Sequence, residues 1–210
     1  MSGVTSPFEE IAAQYAVLWS DTERGRAQRQ RVWRELDRLF HPGDQVLDLG
    51  CGTGDDALYL ASRGVNVLGI DSASEMVKIA RERGVEAWPI AIEEMSWLHR
   101  EFAGAFDGAL SNFGALNCVQ DLTSVNADLA RLVRPGGTLA LCVMSRFCLS
   151  DRRHFLERWL GRATWRGMNV YYRSARSVAR AFAPHFELQR RVSIGRGDHQ
   201  LLIFTRRATC

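Results

Sequence analysis

Apolar residues recur along this chain in two alternating rhythms. Val46, Leu47 and Leu49 form a short apolar run that stops at Gly50, Gly52 and Gly54, the pattern of a buried strand feeding a tight turn. Residues 57–64 then show helical spacing and close on Gly64, and residues 65–71 give a second strand ending in Asp71. Ser72, with Glu75 three residues on, predicts a capping box for a helix carrying Met76, Val77, Ile79 and Ala80 and stopping at Gly84. Further strands are predicted over 86–92, 106–111, 138–144, 186–194 and 200–206. An amphipathic helix spans 122–133, and the Arg134-Pro135-Gly136-Gly137 turn follows it. Ahead of the first strand, residues 11–40 read as helix, with Asp21 or Thr22 able to cap a second piece. Strands alternating with helices predict an α/β fold on a parallel sheet.

Composition fits that reading. With 210 residues, 46% hydrophobic and 24% charged, one domain is expected, residues 1–44 forming a helical cap on it. A formal charge of +3 gives no bulk reason to expect a nucleic-acid partner. Five cysteines without C-x-x-C or Cys/His spacing read as free thiols in a reducing cytosol. No run approaches a membrane span, and residues 1–10 lack the form of a signal peptide, so a cytoplasmic protein is expected.

The candidate chemistry lies around the glycines. A glycine turn after the first strand lets backbone approach a ligand, and an acid about 20 residues on, here Asp71, suits both hydroxyls of a ribose. The loop is G-x-G-x-G rather than the G-x-G-x-x-G of a dinucleotide site, and Asp55 and Asp56 follow at once, where carboxylates would repel a pyrophosphate. An adenosine ligand without phosphates is expected.

With its Val46-Leu47-Asp48-Leu49-Gly50-Cys51-Gly52-Thr53-Gly54 string and the paired Asp71, the chain resembles the class I S-adenosylmethionine-dependent methyltransferases, in particular the small-molecule type similar to the enzymes of quinone pathways. The resemblance implies a three-layer Rossmann-like sheet of seven strands, mostly parallel, with an antiparallel hairpin at its edge. It implies that Asp48 organises the loop and meets the cofactor's amino group through water, that Gly50, Cys51, Gly52, Thr53 and Gly54 form the cradle, and that Ser72 and Met76 flank the adenine. Family members place an aspartate where this chain has Ala91, so the contact to the adenine amino group falls to Glu93 or to backbone, with Ile92 among the residues implied to bind the cofactor. Ser111 and Asn112 are implied neighbours of the methionine portion; Phe113 and Asn117 would face the methyl acceptor. Tyr15 and Trp19 belong to a segment like the N-terminal lid of small-molecule members, although Ala16 replaces the family's aspartate after Tyr15.

The turn after residues 106–111 carries neither the Asn-Pro-Pro-Tyr of amino-group DNA methyltransferases nor a Pro-Cys nucleophile. Ser111 stands where a metal-dependent catechol type has an acid, so no metal is expected. Residues 145–184 interleave aromatics, including Tyr171 and Tyr172, with arginines. That composition suits single-stranded nucleic acid or helices folded over an active site; without an added RNA-binding module a substrate lid is the expectation, with a hint of an acidic acceptor. His154 is the one histidine there, a candidate base or a solvated side chain. Three functions follow: methyl transfer to a small molecule, methyl transfer to RNA or protein, or cofactor binding without catalysis. The acceptor and the oligomeric state stay open.

Overall fold

The computed structural model describes residues 7–146 and 160–208. Nine strands are formed there: β1 (Gln45–Leu49), β2 (Asn66–Ile70), β3 (Glu86–Trp88), β4 (Phe106–Ser111), β5 (Val133–Met144), β6 (Arg162–Trp165), β7 (Met168–Tyr171), β8 (Phe186–Ile194) and β9 (His199–Arg206). Seven make one sheet in the order β3-β2-β1-β4-β5-β9-β8, while β6 and β7 pair as a separate hairpin. Every pairing from β3 to β5 is parallel; β9 runs antiparallel between β5 and β8. The predicted architecture is present, edge hairpin included.

Strand alternation divides the core. Leu47, Leu49, Leu139 and Leu141 pack on one face under α7 (Leu122–Leu132) and α8 (Ala175–Phe182), which follow the short helices α5 (His99–Phe102) and α6 (Ala115–Cys118) in the chain. Val46, Leu110 and Cys142 pack on the other under Val32 and Leu36 of α2 (Glu23–Leu36) and Leu60 of α3 (Asp55–Ala61). Asp48, in step with Val46, therefore points to the α2 face. Beside α3, Val77 and Ala80 of α4 (Ser74–Glu82) pack against Ala57 and Val85.

Several boundaries differ from expectation. The first of the expected N-terminal helical pieces is broken into α1 (Pro7–Ile11), a 3₁₀ turn (Ala12–Gln14) and a π-helical turn (Ala16–Ser20), while the second begins as expected, Thr22 capping α2 by accepting from Gly25 N at 3.0 Å. The third strand stops at Trp88 instead of residue 92, because Pro89 has no N–H to continue a ladder. Arg134–Gly137 does not precede the fifth strand but bulges within it: Val133 pairs with Phe106, and pairing resumes with Thr138 opposite Gly108. Arg134 secures the bulge by donating to Asp107, whose other oxygen accepts from Gln45 N.

Ser72 is exposed and caps nothing. The amides of Ser74 and Glu75 at the start of α4 instead donate to the two carboxylate oxygens of Glu9, at 2.7 and 2.8 Å. A side chain some 65 positions away supplies the cap and ties the N-terminal segment to the domain.

Of the expected lid over 145–184, residues 147–159 lie outside the described residues, and the helix after the hairpin belongs to the sheet. Helix α8, capped by Ser174, buries Val178 and Phe182 in the main core and is an outer-layer helix of the sheet. Among the described residues of that stretch, the β6–β7 hairpin stands beside the site, turned through Arg166 and Gly167, whose φ of +47° and +83° suit a primed two-residue turn. His154 lies outside the described residues.

Candidate functional site

The glycine loop is held by backbone. Gly50 N and Cys51 N donate to Ile70 O at 2.8 and 3.0 Å, so the end of β2 fixes the exit from β1. Asp71 completes the tie: one carboxylate oxygen accepts from Gly52 N and the other from Ala73 N, both at 2.9 Å. Burial nonetheless raises the Asp71 pKa, against the lowering effect of these two amides. The acid expected only as a ribose clamp thus ties the glycine loop to the residues after β2.

The three glycines differ in purpose. All take positive φ, but a Cβ on Gly50 would overlap the Ala115 methyl, and one on Gly54 would press on Val85 and Ala80. A Cβ on Gly52 meets nothing within 4 Å, so only there does the missing side chain leave open space.

Asp55 and Asp56, the first residues of α3, are not free charges. Asp56 accepts from Trp33 Nε1 at 2.7 Å and pairs with Arg29 at 2.8 Å. Asp55 accepts from Ser20 Oγ at 2.7 Å and pairs with Arg83 at 2.8 Å and Arg29 at 3.6 Å. Burial opposes ionisation of Asp55, yet Arg29, Ser20 and Arg83 together hold its carboxyl below the usual range. The repulsion expected against a pyrophosphate is thus largely neutralised, and the glycine spacing alone carries that distinction. Arg29, whose guanidinium also lies over the Phe113 ring at 5.0 Å, is the site residue the sequence did not reveal. Nothing distinguishes it there from its neighbouring arginines.

These groups enclose a cavity of about 30 Å³, room for about one water, lined by Tyr15, Arg29, Gly50, Cys51, Gly52, Thr53, Asp55, Asp56, Asn112 and Phe113. Tyr15 closes it from the N-terminal segment, and burial pushes its phenol up to about 12. Around it are buried polar atoms without hydrogen-bond partners among the described residues: Asp48 Oδ2, Thr53 Oγ1 and both amide atoms of Asn112. Burial first, and then the nearby Asp56, push the Asp48 carboxyl well above its usual range. Such groups are costly unless something bonds to them.

The remaining expected residues divide. Phe113 lines the cavity with a φ of +50°. Met76 packs with Ala12 and Ala73 beneath Phe8 and Tyr15. Ile92 is buried in the main core near Gly50, and Glu93 is exposed. Ser111 is buried and donates to Leu49 O at 2.9 Å, which ties β4 to β1. Trp19 meets Tyr15 in a tilted ring pair, with centroids 5.3 Å apart. Asn117, expected to face an acceptor, is fully buried and spends its amide on backbone, accepting from Met144 N and donating to the carbonyls of Met144 and Tyr171. It fastens the hairpin to the end of β5. The Tyr171 ring lies beneath Arg173 at 5.1 Å, and Tyr172 N bonds to Gly161 O. Among the described residues no group of three or more His, Cys, Asp or Glu is arranged to hold a metal, and no helix is long and apolar enough to cross a membrane.

Comparison with known proteins points to one family. Residues 46–137 match the family model described as a methyltransferase domain. The chain is 30% identical over 164 residues to the demethylmenaquinone methyltransferase of Thermobifida fusca, covering 75% of this chain and 66% of that protein. It is 38% identical over 112 residues to a ubiquinone biosynthesis O-methyltransferase of Xanthomonas oryzae pv. oryzae, covering 52% of this chain and 46% of the relative. The chain thus spans about two thirds of the first relative's length and about half of the second's. Among solved structures, the 1,6-didemethyltoxoflavin-N1-methyltransferase of Burkholderia thailandensis superposes with a TM-score of 0.66 at 21% identity, covering 100% of this chain and 93% of that one. Glycine loop, sheet order and relatives agree, and the chain belongs to the class I S-adenosylmethionine-dependent methyltransferases.

Proposed function

We propose that this protein transfers a methyl group from S-adenosylmethionine to a small-molecule acceptor by in-line displacement. The observation that carries the reading is the set of unsatisfied buried polar atoms, Asp48 Oδ2, Thr53 Oγ1 and the Asn112 amide, gathered with Arg29 where the backbone over Gly52 is open. An amino-acid end supplies what they lack: an ammonium for the acceptors at Asp48 and Asn112, and a carboxylate for Arg29 and the donors at Thr53 and Asn112. Asp71 keeps lone pairs on both oxygens for the ribose hydroxyls. When bound, the cofactor supplies an activated methyl on a sulfonium with a good neutral leaving group.

The chain's task is then placement. Aligning two bound reactants is worth ~7–11 kcal/mol, against ~10²–10⁴-fold from a general base, so the loop, Tyr15 and Phe113 need only hold reactants in line and exclude water. The small-molecule acceptor is favoured by the quinone-pathway methyltransferases among its relatives and by the aromatic surroundings of the cavity mouth at Tyr15, Trp19 and Phe113.

Calorimetry tests the cofactor: S-adenosylhomocysteine should bind and NAD should not, and tight NAD binding without heat from S-adenosylhomocysteine would overturn the reading. Radiolabelled methyl transfer into a quinol and phenol panel, with RNA and protein extracts alongside, tests the acceptor. Label appearing only in RNA or protein would reject the small-molecule assignment.

A further inference from the structure

Four aromatic rings form a closed circuit beside the cavity. Phe8 meets Tyr15 at 6.3 Å, Tyr15 meets Trp19 at 5.3 Å, Trp19 meets Trp165 at 6.0 Å, and Trp165 meets Phe8 at 5.3 Å between centroids. Three of the rings belong to the N-terminal segment, residues 7–20. The fourth stands at the turn of the β6–β7 hairpin, where Arg166 lies over Trp165 at 5.6 Å and pairs with Glu10 at 3.5 Å. The junction therefore joins two elements that reach the site from opposite ends of the chain.

Neither element has a buried core of its own. Of the eight strand residues in the hairpin only Val170 is buried, and an isolated two-stranded hairpin is marginal in water. The N-terminal segment is a series of short, irregular turns fastened by Glu9 to the start of α4 and by Ser20 to Asp55. With Tyr15 down, the cavity has about 30 Å³ of free room, far less than a nucleoside with an amino-acid side chain occupies. The segment must lift to admit such a ligand and settle again around it.

We propose that the N-terminal segment and the β6–β7 hairpin close as one body through this four-ring junction, so that filling the cofactor cavity also sets the hairpin on the acceptor side. The proposal rests on the cofactor reading above. The hairpin reaches that side because Asn117 binds Tyr171 O and Ser145 bridges to Arg173, placing it at the end of β5 beside the turn after β4. Cofactor binding then precedes acceptor binding, since the wall against which an acceptor packs is complete only when the segment is down. Coupling of this kind is reciprocal. Whatever the hairpin adds to closure it adds to cofactor affinity, so Trp165, which does not line the cavity, should govern that affinity.

S-adenosylhomocysteine is the probe, and amide hydrogen exchange with calorimetry the readout. In the unaltered protein it should slow exchange both in residues 7–20 and in residues 162–171. In Trp165→Ala the affinity should fall about five- to tenfold, at the low end of ordinary coupling; protection of residues 7–20 should persist while that of the hairpin disappears. Phe8→Ala, which leaves the hairpin's own sequence intact, should give the same loss of hairpin protection from the opposite side. Unaltered affinity in both variants, or hairpin exchange indifferent to the probe in the unaltered protein, overturns the proposal. Absence of any binding by the unaltered protein removes the cofactor reading and the proposal with it, and is distinguished by the calorimetry alone.

Discussion

Replacing Arg29 by alanine should cost the protein about 3 kcal/mol. The guanidinium is only 13% exposed, and its partners Asp56 and Asp55 are 8% and 17% exposed, so removing it strands two largely buried carboxylates. Breaking a buried pair from one side typically costs ~3–5 kcal/mol. The lower end applies because Asp56 keeps the Trp33 indole and Asp55 keeps Ser20 and Arg83. For a domain of this size that loss lowers Tm by about 6–12 °C. Urea titration should show a lower midpoint with an unchanged slope, as expected when the native state alone is weakened.

The effect has a signed pH dependence. The Asp55 carboxyl is depressed in the folded protein, so its contribution is present above its ordinary pKa and is lost as pH falls through the folded value. Part of that contribution comes from Arg29, and the variant lacks it. The stability gap between Arg29→Ala and the unaltered protein should therefore be full at pH 7 and should narrow as pH drops below about 4. Asp56→Asn in the Arg29→Ala background should recover part of the loss, giving a positive coupling in the double-mutant cycle. A gap that stays constant from neutral to acid pH, with no coupling to Asp56, would refute the electrostatic account and leave Arg29 as a packing residue over Phe113.

Three further outcomes follow from the same geometry. Asp71→Ala should weaken S-adenosylhomocysteine binding at least tenfold and also lower unfolding free energy by ~1–3 kcal/mol, because the amides of Gly52 and Ala73 lose their acceptor; an unchanged melting curve would show that the loop does not depend on this carboxylate. Gly50→Ala should fail to fold or melt far below the unaltered protein through overlap with Ala115, whereas Gly52→Ala should cost only the ~1–2 kcal/mol of a left-handed residue while abolishing ligand binding, and equal stability of the two variants would contradict the division of roles. Glu9→Gln should speed amide exchange in residues 7–20 at pH 7. Amide hydrogen bonds from Glu75 and Ser74 hold the Glu9 pKa below its usual value despite the opposing effect of burial, so the unaltered protein should approach the variant only as pH falls through that lowered value. Exchange rates that match at pH 7 would mean that the latch is idle.

Local signals carried the central part of the fold. The strand at 106–111 and the last two strands read correctly because alternation and flanking turns lie within a few residues of one another, and the glycine loop with Asp71 placed the ligand end of the sheet. What escaped was decided at a distance. Ser72 has the spacing of a cap, but Glu9 outcompetes it from the other end of the chain. Asn117 looks like an acceptor contact until the backbones of Met144 and Tyr171 arrive around its amide. Helix α8 has the same amphipathic pattern whether it covers a substrate or a sheet, and only Phe182 meeting Phe186 and Phe204 decides between them. Arg29 is the sharpest case, since its burial depends on where α2 lands against α3.

The Glu9 latch grips main-chain amides of α4 and the hydroxyl of Ser74, and the amides survive almost any substitution at positions 74 and 75. Sequence drift at positions 74 and 75 can therefore proceed without loosening this tie, so long as proline is kept from both. At this end of the segment the tie rests on the Glu9 carboxylate, while Ser20 holds the other end to Asp55, so a point mutation at Glu9 would loosen the segment ahead of Tyr15 and leave the sheet untouched.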